Sequence, residues 1–265
     1  MLMRPTHDIY IGTRAVACSA GGGAGWHAQA DGLDDALALL GTRLGAPLGA
    51  GFGARLGVTR RLLRPAVRLW LSGGLCRPCL LQPPVGLSGE AEFDHFARAM
   101  APAAAGLIGP CRVWCDAALA AEAGPPAARL VIAVSQPVLD RCLAVMAGAR
   151  VRPVSVMPWW AGVLNASLRS AQAAKVELLG VRDCDSLTVL AGTAGVFAQA
   201  STLGPWAGVA GVAGAESAWR RASVTSEAAP GRVLCVQFSP TSVAQNLADG
   251  AASKGGLMRW SQVRP

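Results

Sequence analysis

Two pairs of thiols are the first candidates for chemistry. Cys76-Arg77-Pro78-Cys79 and Cys111-Arg112-Val113-Trp114-Cys115 would supply a structural zinc site if the pairs converged. Each pair lies in an apolar, strand-like run instead of a turn, which favours core packing over metal binding or redox exchange. A second constellation is Asp183-Cys184-Asp185-Ser186, whose carboxylates stand at a hairpin-like turn where they can hold a cation or simply shape the turn. For nucleotide chemistry, carboxylates from Asp8, Asp116, Asp183 or Asp185 would have to converge on one cleft. His7, His27 and His95 lie near different elements, and none sits in a paired metal spacing. No serine occupies a GxSxG elbow, and Ser88 in Gly86-Leu87-Ser88-Gly89 fits a helix cap better. Gly49-Ala50-Gly51-Phe52-Gly53-Ala54 matches the glycines of a dinucleotide loop, yet it follows a helix, and no P-loop lysine comes after it. No catalytic residue and no metal ligand set emerges.

Composition narrows the classes further. The chain has 265 residues, enough for one large core or two lobes; 52% are apolar and 15% charged, which describes a folding chain with a buried sheet. The longest weakly polar stretch, Pro205 to Ala215, is too short and too rich in Gly and Ala for a transmembrane helix, and Met1 to Asp8 lacks the apolar core of a signal peptide. A cytoplasmic chain is expected, with most of its eight cysteines free and buried. The net charge of +8 invites a nucleic-acid reading, but only Lys175 and Lys254 are lysines, and the arginines are mostly scattered. The one dense stretch, from Arg55 through Arg60, Arg61 and Arg64 to Arg68, reads first as a solvated face or linker, and otherwise as an interaction surface for anionic lipid, nucleic acid or an acidic partner.

The elements that must position these residues follow from periodicity. His7 to Cys18 reads as a hairpin around Gly12. A glycine-rich loop, Gly21 to Gly25, leads to Asp31, placed to cap a helix with Leu33, Leu37, Leu40 and Leu44 on one face. Residues 45–65 read as a long connection. Val67 to Ser72 and Cys76 to Leu81 read as a second hairpin, with Gly73-Gly74 supplying positive φ at the turn. A helix capped by Ser88, with Phe93, Phe96 and Met100 inward, is expected to end by Pro102. Cys111 to Cys115 and Leu130 to Val134 read as strands buried on both faces, followed by a helix from Pro137 to Gly148, a strand from Val151 to Met157 and a helix from Trp159 to Arg169. Three strands then recur (Val176 to Val181, Leu187 to Leu190, Val196 to Ala200), with a helix near Ala213 to Ser223, a strand from Val233 to Phe238 and a helix from Thr241 to Ala248.

Strands first, then alternating helices and strands, twice over, resembles the actin-like fold: α/β, with two ribonuclease-H-like lobes, each a mixed central sheet flanked by helices. Tyr10-Ile11-Gly12-Thr13 resembles the Asp-Ile-Gly-Thr of the first phosphate loop of actin-like ATPases. The run from Val154 to Asn165, through Trp159 and Trp160, resembles a strand-to-helix junction of PilM-like proteins, and the cytoplasmic part of GspL-type platform proteins is similar in kind. The resemblance implies a first lobe over residues 1–170 with an inserted segment and a shortened second lobe over 171–265. It implies a nucleotide site at Gly12, Thr13, Asp183 and Asp185, and protein partners in a type IV pilus or type II secretion apparatus, peripheral to the inner membrane. Two departures count against magnesium-ATP. The metal-organising aspartate of the first loop is replaced by Tyr10, the only tyrosine, and Asp183-Cys184-Asp185-Ser186 lacks the glycine of the second loop.

The reading is therefore a non-catalytic assembly scaffold, with Trp159 and Trp160 as interface anchors: one ring inward and one facing a partner, or both covering the lobe junction. Leu203 to Gly214 is a docking surface or a buried loop and helix. The alternatives are a nucleotide-dependent ATPase or kinase-like member of the same fold and a basic nucleic-acid-binding protein, the latter disfavoured.

Overall fold

The computed structural model describes residues 7–20, 23–45, 65–87, 89–115, 128–168, 178–193, 196–204, 217, 219 and 233–237. Strands β1 (His7–Ile11), β2 (Ala15–Ala20), β3 (Gly23–Gln29), β4 (Ala66–Leu71) and β8 (Arg152–Pro158) build a five-stranded sheet in the order β3-β2-β1-β4-β8. Strands β1, β2 and β3 form an antiparallel meander, and β4 joins β1 in parallel. A four-stranded sheet repeats this plan: β9 (Leu178–Arg182), β10 (Leu187–Thr193) and β11 (Val196–Leu203) form the meander, and β12 (Val233–Gln237) joins β9 in parallel. The order β3-β2-β1-β4 thus recurs as β11-β10-β9-β12. A third, all-antiparallel sheet is built from β5 (Cys76–Leu81), β6 (Cys111–Cys115) and β7 (Arg129–Ser135), in the order β5-β7-β6.

Alternation along β1 assigns its two faces. Ile9 and Ile11, with Val16, Cys18, Leu69 and Leu71, pack against α1 (Leu33–Gly45) and α3 (Gln136–Gly148) through Leu37, Leu40, Leu139, Cys142 and Met146. Tyr10 and Ala17 point the other way, onto α4 (Trp159–Leu168) and onto Leu179, Val181 and Leu190 of the four-stranded sheet. The third sheet buries Val131 and Ala133 against Phe93, Ala97 and Ala101 of α2 (Glu90–Ala104).

Several local expectations change. Gly23 to Gln29 is a strand, because it completes the ladder beside β2. At the start of α1 the carboxylate of Asp35 accepts the amide of Asp31 at 3.0 Å, a capping contact that runs opposite to the one expected. Helix α2 is preceded by Gly89, continues through Pro102 to Ala104, and leaves Met100 exposed while Ala97 and Ala101 face inward. Strand β6 is only partly buried, as suits the edge position it holds.

The largest correction concerns Gly73-Gly74. β4 and β5 do not pair; the turn, closed by the amides of Leu75 and Cys76 on the carbonyl of Ser72, sends the chain from one sheet into another. Neither glycine has positive φ. The residue type is needed for space instead, since a Cβ on Gly73 would collide with the Thr188 hydroxyl and sit 3.0 Å from that of Ser186. The connection over 45–65 lies outside the described residues apart from its two ends, as do Ser88, the helix at 241–248 and all but Ser217 and Trp219 of the one at 213–223.

Candidate functional site

The two meanders meet at their first turns. The β1–β2 turn is closed by Gly12 N–H to the Ala15 carbonyl at 2.9 Å, and the β9–β10 turn by Asp183 N–H to the Ser186 carbonyl at 2.7 Å. Equivalent turns of a repeated plan thus face each other, and the β4–β5 turn lies beside them. Thr13 donates both its amide and its hydroxyl to Oδ2 of Asp185, each at 2.7 Å, and the Ser72 hydroxyl donates to the same oxygen at 3.0 Å. The amide of Gly73 donates to Asp183 Oδ2 at 2.7 Å, while the Tyr10 hydroxyl lies 3.4 Å from Asp183 Oδ1 and 3.2 Å from Cys184 Sγ. Gly12, Thr13, Asp183 and Asp185, which the resemblance groups as a nucleotide site, are brought together.

Burial governs the electrostatics here. Asp183 and Asp185 are 6% and 1% exposed, and among the described residues neither forms a salt bridge. Burial, and then the neighbouring charge of Asp185, push the Asp183 carboxyl well above the usual carboxylate range; the Gly73 amide and the hydroxyls of Tyr10 and Ser186 oppose this without reversing it. The Tyr10 phenol is raised by burial first and then by Asp183, Cys184 and Asp185, so it stays protonated and serves as a donor. Cys184 is pushed up by burial and by the same two carboxylates, which removes it as a thiolate nucleophile.

The residues do not fit magnesium-ATP. A nucleotide between the turns needs free amides and hydroxyls and a gap wide enough for phosphates. Here the Thr13 and Ser72 donors already converge on a carboxylate. The gap is closed as well: a Cβ on Gly12 would lie 2.7 Å from Cys184 Sγ and 3.0 Å from the Tyr10 hydroxyl.

The remaining candidates disperse. Asp8 lies on the sheet face, where Arg68 grips both its oxygens at 2.7 and 2.8 Å and the Trp70 indole donates at 2.8 Å. Asp116, Gly49 to Ala54 and the interaction residues Arg60, Arg61 and Arg64 are outside the described residues. Cys79 and Cys115 flank Val131 from opposite sides, while Cys76 pairs with Val134 and Cys111 with Ser135, so the strand between them keeps the two thiol pairs apart. Among the described residues no group of three or more metal-ligating side chains gathers.

Trp159 and Trp160, 6% and 0% exposed, are both interior. Trp159 stands edge-on to Tyr10 and Trp70, and both tryptophans fill the space between the sheets. Ser72 and Gly73 are site residues that the sequence does not reveal. Their contacts with Asp185 and Asp183 span more than a hundred positions, and the Gly-Gly pair is the only local signal.

No family model matches the chain, and no curated protein matches it by sequence. Solved structures do. A Bacteroides thetaiotaomicron protein with an actin-like ATPase fold and unknown function aligns at TM-score 0.52 and 9% identity, over 91% of this chain and 85% of its own. A PilM–PilN type IV pilus biogenesis complex aligns at TM-score 0.51 and 13% identity, over 91% of this chain and 68% of its own. The cytoplasmic domain of EpsL, an inner-membrane component of the type II secretion system of Vibrio cholerae, aligns more loosely at TM-score 0.41 and 12% identity, over 75% and 71%. The chain has the actin-like ATPase fold. Among the described residues no helix is long and apolar enough to cross a membrane.

Proposed function

We propose that this chain is a non-catalytic member of the actin-like fold that acts by recognition, as an assembly scaffold for protein components of a pilus or secretion apparatus. The observation that carries the reading is the direct contact between the two turns, where Cys184 Sγ and the Tyr10 hydroxyl occupy the space beside Gly12 that a nucleotide's phosphates would need. The likeness to a PilM–PilN complex supports the choice of partner class. In this reading residues 1–170 form one lobe, which includes the inserted β5-α2-β6-β7 unit, and 171–265 form a shorter one. The protein sits in the cytoplasm, drawn to the inner membrane by a partner.

The test is thermal unfolding of the purified chain with magnesium and ATP, combined with co-purification against individual pilus and secretion components. A ligand at a hundredfold its dissociation constant adds about 2.7 kcal/mol to a folded state that binds it. The expected result is no shift at millimolar nucleotide and a complex of fixed stoichiometry with one such component. A saturable upward shift with phosphate release would overturn the reading in favour of an ATPase.

A further inference from the structure

The carboxylate of Asp185 sits where an independent ligand would be expected to sit. One backbone amide and two hydroxyls, contributed by Thr13 and Ser72, converge on its Oδ2 at 2.7, 2.7 and 3.0 Å. These donors belong to two different turns, and the acceptor comes from a third, 172 positions from Thr13. Convergent neutral donors aimed at one oxygen make an oxyanion cradle. Bare backbone lines the cradle. A Cβ on Gly74 would come within 3.1–3.2 Å of the carboxylate, and one on Gly12 within 3.4 Å of Oδ2. The second oxygen, Oδ1, is buried and has no hydrogen-bond partner among the described residues.

We propose that Asp185 is a built-in ligand: its carboxylate occupies an anion site formed by Thr13 and Ser72, and this contact latches the second meander onto the first. Removing the carboxylate leaves a cradle for a free small oxyanion, such as formate or inorganic phosphate. The latch goes beyond the scaffold reading, because it identifies what holds the two turns together and which chemistry competes for that position.

The experiment is anion rescue of the full chain carrying Asp185→Ala. Melting temperature is followed in sodium formate and in sodium phosphate, against sodium chloride at equal ionic strength, for the variant, the wild type, and the variant further changed at Thr13→Val. The expected result is a saturable rise in the Asp185→Ala variant that is absent from wild type and from the Thr13→Val double variant. Rescue by formate alone fits a site sized for a carboxylate, and rescue by phosphate as well fits a general oxyanion cradle; both uphold the latch. A variant that responds to these anions no more than wild type does overturns it. If Asp185→Ala does not fold in chloride, refolding yield in formate or phosphate takes the place of melting temperature. Recovery then supports the latch, and equal failure in all three salts overturns it. A nucleotide-induced shift of the wild-type chain would sink the scaffold reading without touching the variant's anion response, so the two fail separately.

Discussion

The indole N–H of Trp160 donates to the carbonyl oxygen of Cys76 at 2.9 Å, tying the first turn of α4 to the first residue of the three-stranded sheet. Trp160 is fully buried, so the bond forms away from water and its ring fills the space between sheets. Trp160→Phe keeps most of the ring and loses the donor. A lost buried hydrogen bond and a small residual void predict a destabilisation of about 1–3 kcal/mol by urea unfolding. A change within a few tenths would mean that the three-stranded sheet is not anchored through this residue.

Gly73 lies against the second meander closely enough that a methyl group would meet the Thr188 and Ser186 hydroxyls. Gly73→Ala is therefore expected to cost about 1–3 kcal/mol through overpacking, although alanine usually stabilises a turn whose φ it can adopt. Gly32, with open space around its Cβ position, is the matched control, and Gly32→Ala should change unfolding far less. Equal effects at both positions would argue against the close approach.

The same glycine shows where the sequence stops being informative. Hairpins closed within a few residues, such as β1–β2 and β9–β10, are set by local turn chemistry, and their strands stand where periodicity puts them. Whether β5 returns along β4 or leaves for another sheet depends on strands 50 or more positions away: β5 pairs with β7, and β4 with β1 and β8. Gly-Gly permits both outcomes. Which of the two arrangements open to Trp159 and Trp160 is adopted is not set locally either, because what covers them includes Leu179 and Val181 from the other repeat. The site is half legible. Thr13 and Asp185 stand out by motif position, but nothing local says that one is the ligand of the other.

Arg68 and Asp8 lie opposite each other on parallel strands and form a bidentate pair, with the Asp8 side chain 3% exposed and that of Arg68 35% exposed. Arg68→Met takes away the charge while leaving a stem to pack. A buried carboxylate deprived of its cation predicts a loss of about 1–3 kcal/mol, below that of a fully buried pair because Arg68 is partly solvated. Adding Asp8→Asn to that variant should restore part of the loss. If the double variant is as unstable as the two single changes summed, the pair does not act as a unit.

Asp183 gives the protein a pH dependence of defined sign. Its carboxyl is raised by burial and by Asp185, so the folded state binds a proton at pH values where the unfolded chain has released it. The stability associated with this group is full below the ordinary carboxylate range and is lost as pH rises through the raised value. Asp183→Asn, which can still accept the Gly73 amide, should match wild type at acid pH and exceed it above that range. Urea midpoints measured from pH 4 to pH 9 check this. A gap that is constant across the series would show that Asp183 does not titrate differently on folding.

Thiol reactivity tests the packing of two of the cores, the one beneath α1 and α3 and the one beneath α2. Burial raises Cys18 to about 12 and Cys142 to about 11, Cys79 is pushed to about 11 by burial and by Cys115, and Cys76 is raised further still. Because the thiolate is the attacking species, a shift from 9 to about 12 lowers its fraction at pH 8 roughly a thousandfold, before access is considered. Cys111 and Cys115, on the partly buried strand β6, are raised as well but remain reachable. Iodoacetamide at pH 8 followed by peptide mass spectrometry should modify Cys111 and Cys115 first. Cys18, Cys76 and Cys142 should react only once urea unfolds the chain. Native-state labelling of Cys76 at the rate of Cys111 would mean that the junction beneath Trp160 opens.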